Sequence, residues 1–577
     1  MKDTIKDNFE IVISRVENSF YNEKYRLIKI NKKFLYLKVS KDLTISDLNK
    51  NYIIIIYGYI EGFNTKRIFD IVNKSEIDDY IKIFNGKFVL FIIDKINGNS
   101  KVYSDRLNSK NIFLFINNDN FIYSNNIYNF KRFNLTINKG ALGFYLSNGY
   151  LIGESTLFNE IETFSYALKH IIDENKIKRK KYWNFLFTNK NENNDKSKLK
   201  ELDSLLFKSV NKNVSKVENL ISLSGGYDSS AILGYMKKNK SNLNINCFNY
   251  SYGKIFSLSD IDIARKTCGQ NDIKLREYKM YSSGILNNLK LNAIVGQGIA
   301  NICDEIDCIE KINGDIKYNA SMFFGDEVFG TDDEFLVNKK DVLKSLRIYD
   351  FNNLKFMKNF IISNKLSSIE KQSFLFYKKL SKIKNNNLSS FDLKQIYYYK
   401  YRVTCVLSRW RDLFYSSYFD YYNPFLDNNI IDFIRNLSFK DRKDRKLFIK
   451  TIKNNNKNIF NKIPRAKFPN KISDKEYYSK LVNEIKSENY FSSMTSIINR
   501  YIDLKKLEFK INNLSSFNLF KLNKFQYYSR RVIKKSKILK FIFYKISFFN
   551  IEYVGLVDFT KRVIVLDNIF KKMELDK

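Results

Sequence analysis

Residues 220–238, LISLSGGYDSSAILGYMKK, constrain this chain more than any other stretch. Apolar residues run into Ser224-Gly225-Gly226-Tyr227-Asp228-Ser229-Ser230, and a helical pattern begins at once. Strand, glycine-rich turn and helix in that order build an anion cradle. The two glycines let the backbone approach a phosphate, and the helix start points free N–H groups at it. Ser224, Ser229 and Ser230 add hydroxyl donors, and Asp228 offers the hard oxygen that Mg²⁺ requires. No Gly-Lys-Ser/Thr follows, so the loop is not of the Walker type.

The surroundings fit a parallel sheet. Strand-like segments at 244–250, 275–280 and 316–323 alternate with helical patterns, which predicts an α/β domain with ligands at the carboxyl ends of its strands. Residues 1 to about 185 read instead as β-rich, with strand-like runs at 51–57, 88–93 and 112–116 separated by Asn/Gly/Asp/Lys-rich turns. A chain of 577 residues exceeds one hydrophobic core. The expected organisation is an N-terminal α+β domain over 1–187 and a polar linker over 188–200. An α/β domain with a mainly helical later part follows over 201–470, then a basic helical extension over 471–577. No internal repeat is visible.

Absences narrow the chemistry. His170 is the only histidine, so histidine triads and His-rich metal sites are excluded elsewhere, and its apolar setting ALKHII reads as structural. The five cysteines, Cys247, Cys268, Cys303, Cys308 and Cys405, form no CxxC pair and read as buried or free thiols in a reducing cytoplasm. No apolar run reaches membrane-spanning length, and the start MKDTIKDNFE is not a signal peptide. The net charge of +38 suggests nucleic acid, but Lys and Asn are abundant everywhere and no recognition module accompanies them, so nucleic acid is not the reading. Residues 521–545, KLNKFQYYSRRVIKKSKILKFIFYK, interleave basic and apolar residues at near-helical spacing. That pattern predicts a solvated basic helix face, with docking to an acidic partner or anionic surface as its functional reading.

SGGYDSS is similar to the pyrophosphate-binding loop of ATP pyrophosphatases, and most narrowly to that of asparagine synthetases, whose motif differs only at Tyr227. The segment 316–330, IKYNASMFFGDEVFG, resembles the same family's Ser-Gly-Glu-Gly-Ser-Asp-Glu loop, read as a strand ending in Ser321. The family glutamate is Phe323 here; lactam synthetases of this family carry an aromatic residue there too. Tyr422-Asn423-Pro424-Phe425-Leu426-Asp427 resembles the family's Arg-x-Pro-Phe-Leu-Asp segment, and Lys446 followed by Ile463-Pro464-Arg465-Ala466-Lys467 resembles its lysine helix and continuation. Asn85-Gly86-Lys87-Phe88 and Ser104-Asp105-Arg106 resemble class II glutamine amidotransferase domains, as do Thr156-Leu157-Phe158 and Lys181-Tyr182-Trp183.

The resemblance implies the following chemistry. Mg·ATP activates a small-molecule or peptide carboxylate as an acyl-adenylate, an amine or ammonia captures it, and AMP and pyrophosphate leave. Ser224, Gly225, Gly226, Asp228, Ser229 and Ser230 hold the pyrophosphate. Asp228 and Asp326 hold Mg²⁺, and Lys446 neutralises the phosphates. Leu223 and Tyr250 line the adenine pocket, and Ser321 contacts the nucleotide. Active amidotransferases of this class expose an N-terminal cysteine where this chain has Lys2, which implies no glutaminase activity. A lactam or lasso-type peptide cyclase and a non-catalytic ATP-binding regulatory homologue stay open beside the ligase.

Overall fold

The run Tyr52–Ile60, YIIIIYGYI, has no polar face and so must be covered on both sides. In the computed structural model it is a strand paired antiparallel with Gly86–Asp94. Ile53, Ile55 and Tyr57 enter one core, and Ile54 and Ile56 another. The structure describes residues 8–575 except 18–20, 22–24, 32, 41–42, 48, 118–119, 174–175, 189–193, 240–241, 252–258, 318, 326–327, 331–358, 381–388, 461–462, 466–473 and 513–555.

The N-terminal part consists of two antiparallel six-stranded sheets. Glu10–Ser14 and Lys33–Lys38 lie within one, and Tyr52–Ile60 and Gly86–Asp94 within the other. Ile11, Ile13, Leu35 and Leu37 meet Ile55, Val89, Phe91 and Ile93 between them. The helix Thr65–Asn73 covers the outer face of the second sheet through Ile68 and Val72. The outer face of the first contributes Val12, Tyr36 and Ile122 to a core shared with the helix Lys139–Asn148.

His170 is buried on the strand Leu168–Asp173, with Nδ1 3.4 Å from the Tyr123 hydroxyl. Burial, aided by the positive charges of Arg179 and Lys181, pushes its pKa from 6.5 down to about 3. The unfolded chain therefore takes up this proton first as pH falls. The stability is fully present above about pH 6.5 and is lost as pH drops toward 3. At about pH 5 the loss is about 2 kcal/mol, and His170→Phe should remove that part of the pH dependence from the urea midpoint.

The second unit is built on a five-stranded parallel sheet in the order Lys274–Lys279, Ile245–Ser251, Asn219–Ser222, Ser321–Phe323, Asp420–Tyr422. Crossover helices Tyr227–Lys237, Asp260–Gly269 and Ile285–Gly296 separate the first strands, as the alternation of patterns predicts. The helix Asp195–Asn211 starts inside the stretch expected as linker. Asn194 caps it, accepting from Ser197 N at 2.9 Å, so a polar run that reads as linker also starts a helix. Beyond residue 360 the described chain is mainly helical, including a π-helical segment Tyr398–Leu407.

The two halves are bolted together by the sequence 104–112. Arg106 pairs with Asp432 at 2.8 Å, and its guanidinium lies 4.9 Å from the ring of Trp183, which Arg435 approaches at 5.0 Å. Asn111 donates to Asp412 through its backbone N at 2.9 Å and its side chain at 3.0 Å. The helix over 556–572 returns to the N-terminal half, where Arg562 donates to the carbonyls of Leu146 and Ser147. The basic segment 521–545 lies outside the described residues. Among the described residues no helix is long and apolar enough to cross a membrane.

Candidate functional site

The strand Asn219–Ser222 delivers the chain into the 224–230 loop at the carboxyl edge of the sheet. Leu223 is buried, and its backbone N donates to the Phe248 carbonyl at 3.0 Å. Gly225 has φ +72°, in the left-handed region that favours glycine. Gly226 then caps the helix Tyr227–Lys237 with no side chain on the capping N–H groups, so the helix start is open to an anion. Ser229 Oγ accepts from Ser224 N at 3.2 Å and lies 3.2 Å from Ser224 Oγ, which draws the loop back over the helix start.

Two arginines converge on this loop. Arg445 Nη1 donates to Asp228 Oδ2 at 3.0 Å. Arg465 Nη1 donates to Ser230 Oγ at 2.9 Å, while its Nη2 is fixed by the carbonyls of Ile459 and Ile463. Arg445 is aimed by backbone strain: Asp444 and Arg445 both take left-handed conformations, φ 51° and 55°, which are uncommon for such residues. Lys446 begins the helix Lys446–Asn455 and is exposed, facing an outward depression shared with Phe439, Lys443 and Ile449. The basic group that touches Asp228 is therefore its neighbour Arg445. Register with the Asn423-Pro424-Phe425 segment locates this stretch in the sequence, but no pattern there says which of two adjacent cations turns inward.

Asp326 and Glu327 lie outside the described residues, whereas Gly325 is placed against the loop. A Cβ at Gly325 would come within 2.8 Å of Asp228 C and Ser229 N, so Gly325 lies directly on the 224–230 loop. Ser321 lies away from the place the resemblance implies. The strand begins at Ser321 rather than ending there, and Ser321 pairs in register with Asn219 at the amino end of the sheet. Three residues at about 3.3 Å each put it about 10 Å behind the carboxyl edge. The apolar run Met322-Phe323-Phe324 extends the strand, and Phe323 is buried in the sheet against Tyr422.

Tyr250 stands on the neighbouring strand, two residues beyond Phe248, which is paired with Ser222. It is thus level with Ser224, and its hydroxyl lies 3.0 Å from that of Tyr415. Asn423, Pro424 and Asp427 do structural work: Ser209 Oγ donates to the Pro424 carbonyl at 2.6 Å, and Asp427 caps the helix Asn428–Asn436.

Among the described residues no group of three or more His, Cys, Asp or Glu could hold a metal ion unaided. One carboxylate, Asp228, beside an open helix start suits Mg²⁺ that arrives on a polyphosphate and keeps several waters. Between the two halves lies a cavity of about 60 Å³ lined by Lys87, Asp105, Arg411 and Tyr421. Burial pushes the Lys87 amine well below its usual range, and its Nζ sits 3.2 Å from the centre of the Tyr421 ring. Burial likewise pushes Asp105 up to about 6, against the hydrogen bonds it accepts from the backbone of Leu107, Phe88 and Ser109.

A glutamine amidotransferase domain model matches residues 65–183, and an asparagine synthase model matches residues 201–299. The chain is similar to a putative glutamine-hydrolysing asparagine synthetase of Methanocaldococcus jannaschii, 28% identical over 201 residues. That match covers 32% of this chain and 39% of the relative, so the chain spans about two fifths of that protein's length. Among solved structures it is similar to glutamine phosphoribosylpyrophosphate amidotransferase from B. subtilis complexed with ADP and GMP, at 10% identity and a TM-score of 0.20. That alignment covers 57% of this chain and 71% of the other. An allosteric regulatory enzyme of purine biosynthesis aligns at 9% identity and a TM-score of 0.21, over 48% and 75% of the two chains. An amidotransferase domain model followed by an asparagine synthase model that contains the 224–230 loop therefore matches this chain, in the order its motifs predict.

Proposed function

We propose that this chain is an AMP-forming amide ligase. ATP lies on the 224–230 loop, a carboxylate oxygen attacks the α-phosphorus, and the bond to the β-phosphate oxygen breaks, releasing pyrophosphate. An amine then attacks the acyl carbon, the carbon–oxygen bond to AMP breaks, and an amide is left. The observation that carries the reading is the convergence of an open helix start, Arg445 and Arg465 on a loop with one carboxylate. Three positive features are more than Asp228 alone needs, and they suit a polyphosphate whose leaving group gains charge.

Mg²⁺, when bound, would sit on Asp228 with Asp326 and supply charge neutralisation for the departing pyrophosphate. Arg445 leaves Asp228 for the phosphate oxygens, Arg465 steadies Ser230 at the helix start, and the N–H groups after Gly226 hold the oxyanions. Leu223 and Tyr250 form walls for the adenine. The amidotransferase-type half supports the synthetase half through Arg106, Asn111 and Trp183 rather than hydrolysing glutamine. Residues 1–187 and 201–470 are the two working units of this reading, and the carboxylate and amine are small molecules or peptide groups.

The test compares the two adjacent cations. With Mg·ATP and a panel of carboxylates, Arg445→Ala should slow pyrophosphate release by about 10²-fold or more, the cost of removing one charge-stabilising donor. Lys446→Ala should cost less, because Lys446 faces outward. A larger loss in Lys446→Ala would return the phosphate role to Lys446. Unchanged release in Arg445→Ala would contradict the reading of the loop.

A further inference from the structure

One side of the helix Tyr227–Lys237 receives three residues from a later part of the chain. Tyr227, Ser230 and Gly234 follow one another at spacings of three and four residues, so they line one face of that helix. A Cβ at Gly234 would come within 2.6 Å of Asn456 Oδ1, so glycine there lets Asn456 close on the helix. The Tyr227 ring stacks on that of Phe460, with centroids 5.9 Å apart. Ser230 Oγ accepts from Arg465 Nη1 at 2.9 Å. Asn456, Phe460 and Arg465 thus lie along the first two turns of the helix, beside the 224–230 loop.

Arg465 is held there without a carboxylate. Its Nη2 donates to the carbonyls of Ile459 and Ile463 at 3.1 and 3.0 Å. Its guanidinium carbon lies 5.0 Å from the centre of the Phe460 ring and 5.9 Å from that of Tyr227. Among the described residues no acid pairs with it. Arg445 differs, because Asp228 matches its charge at 3.0 Å. Ring faces attract and fix a cation but carry no net charge. Burial pushes the Arg465 guanidinium below its usual range, and Tyr227 opposes that in part. A second cation, Lys453, has its Nζ 5.5 Å from the centre of the Tyr227 ring. The rings therefore hold a charge in place that an oxyanion on the loop would complete.

Resting on the reading of the 224–230 loop as a polyphosphate site, we propose that Tyr227 is a positioning residue for that site: with Phe460 it holds Arg465 at Ser230, where the guanidinium meets the phosphate oxygens. Tyr227 is also the one motif position at which this chain departs from the asparagine synthetase loop. The ring is the part that acts. Among the described residues its hydroxyl makes no hydrogen bond, so phenylalanine would serve as well. An aliphatic residue at 227 would still cover the helix start but offers no π face. Arg465 would then keep its carbonyl contacts and lose one of the two rings that aim it at Ser230.

The test is a double-mutant cycle on the full-length protein, read by calorimetric binding of Mg·pyrophosphate. Tyr227→Leu should weaken binding by about 3- to 10-fold, the range of one cation–π contact. Arg465→Ala should weaken it by about 10- to 100-fold, as for a hydrogen bond to a charged group. The double variant should bind no more weakly than Arg465→Ala, and Tyr227→Phe should stay within about 2-fold of the native protein. Should leucine disturb the helix start, seen as altered circular dichroism, Tyr227→Met fills more of the ring's volume and is read in the same way. A ring that merely packs the helix would give losses that multiply in the double variant, which would overturn the proposal. Native-like binding in Tyr227→Leu, or a Tyr227→Phe variant as weak as Tyr227→Leu, would overturn it too. A native protein that binds no pyrophosphate would overturn both the proposal and the reading of the loop. Pyrophosphate bound by the native protein, but none released from Mg·ATP with any carboxylate, would overturn the ligase reading alone.

Discussion

Asp228→Ala should abolish pyrophosphate release from Mg·ATP, by on the order of 10³-fold or more, while leaving the protein folded. Asp228 lies in the first turn of the helix Tyr227–Lys237, where its charge is favoured by the helix start. It is also the one carboxylate of the loop, and it holds the Arg445 guanidinium at 3.0 Å. In the proposed reading, removing it takes away a metal ligand and releases the Arg445 cation in the same step. The N–H groups after Gly226 remain, so ATP binding should weaken far less than turnover. Asp228→Asn keeps the shape but not the charge and should be nearly as inactive. Release within about 10-fold of the native rate in either variant would show that this loop is not where the chemistry happens.

The second large effect is on stability. Asp412 is fully buried and takes the backbone N–H and side-chain amide of Asn111, with Lys110 at 3.4 Å. Lys110 and Asn111 belong to the N-terminal half and Asp412 to the helix Ser408–Tyr415 of the other, so this carboxylate ties the halves together. Asp412→Ala leaves a cation and two N–H donors in a site closed to water. The expected cost is about 3–5 kcal/mol, the usual penalty for breaking one side of a buried charged pair. It should appear as a lower urea midpoint, with earlier proteolysis between the halves. A midpoint unchanged within about 0.5 kcal/mol would mean that the halves are held by apolar contact alone.

How much of this was legible in the sequence follows from which interactions are local. The 224–230 loop declares itself because strand, glycines and helix start are contiguous, and the structure places them at the carboxyl edge of a parallel sheet. The strand at 51–57 is read from β-branched residues, and the structure extends it to Tyr52–Ile60. The single histidine reads as structural from its apolar neighbours, and it is buried on a strand.

What escaped depends on tertiary placement. Arg445 turns inward because two successive residues adopt left-handed backbone conformations, which no residue type at 444 and 445 announces. Ser321 is not where the resemblance puts it, because Met322-Phe323-Phe324, which takes the place of the family's Gly-Glu-Gly, is apolar enough to continue a strand. Ser230 and Arg465 are 235 residues apart in sequence, and Asn111 and Asp412 are 301 apart, so neither pair leaves a local pattern. Asp326, Lys467 and the basic segment 521–545 lie outside the described residues.

The central claim is that the chain spends ATP between its α- and β-phosphates to make an amide. The most direct measurement is phosphorus NMR of the products formed by the purified native protein from Mg·ATP. The reaction would contain aspartate and ammonia, then aspartate and glutamine, then a panel of other carboxylates. AMP and pyrophosphate appearing together, in step with amide, is the predicted result. ADP and phosphate, or ATP bound but unspent with every carboxylate offered, would contradict it.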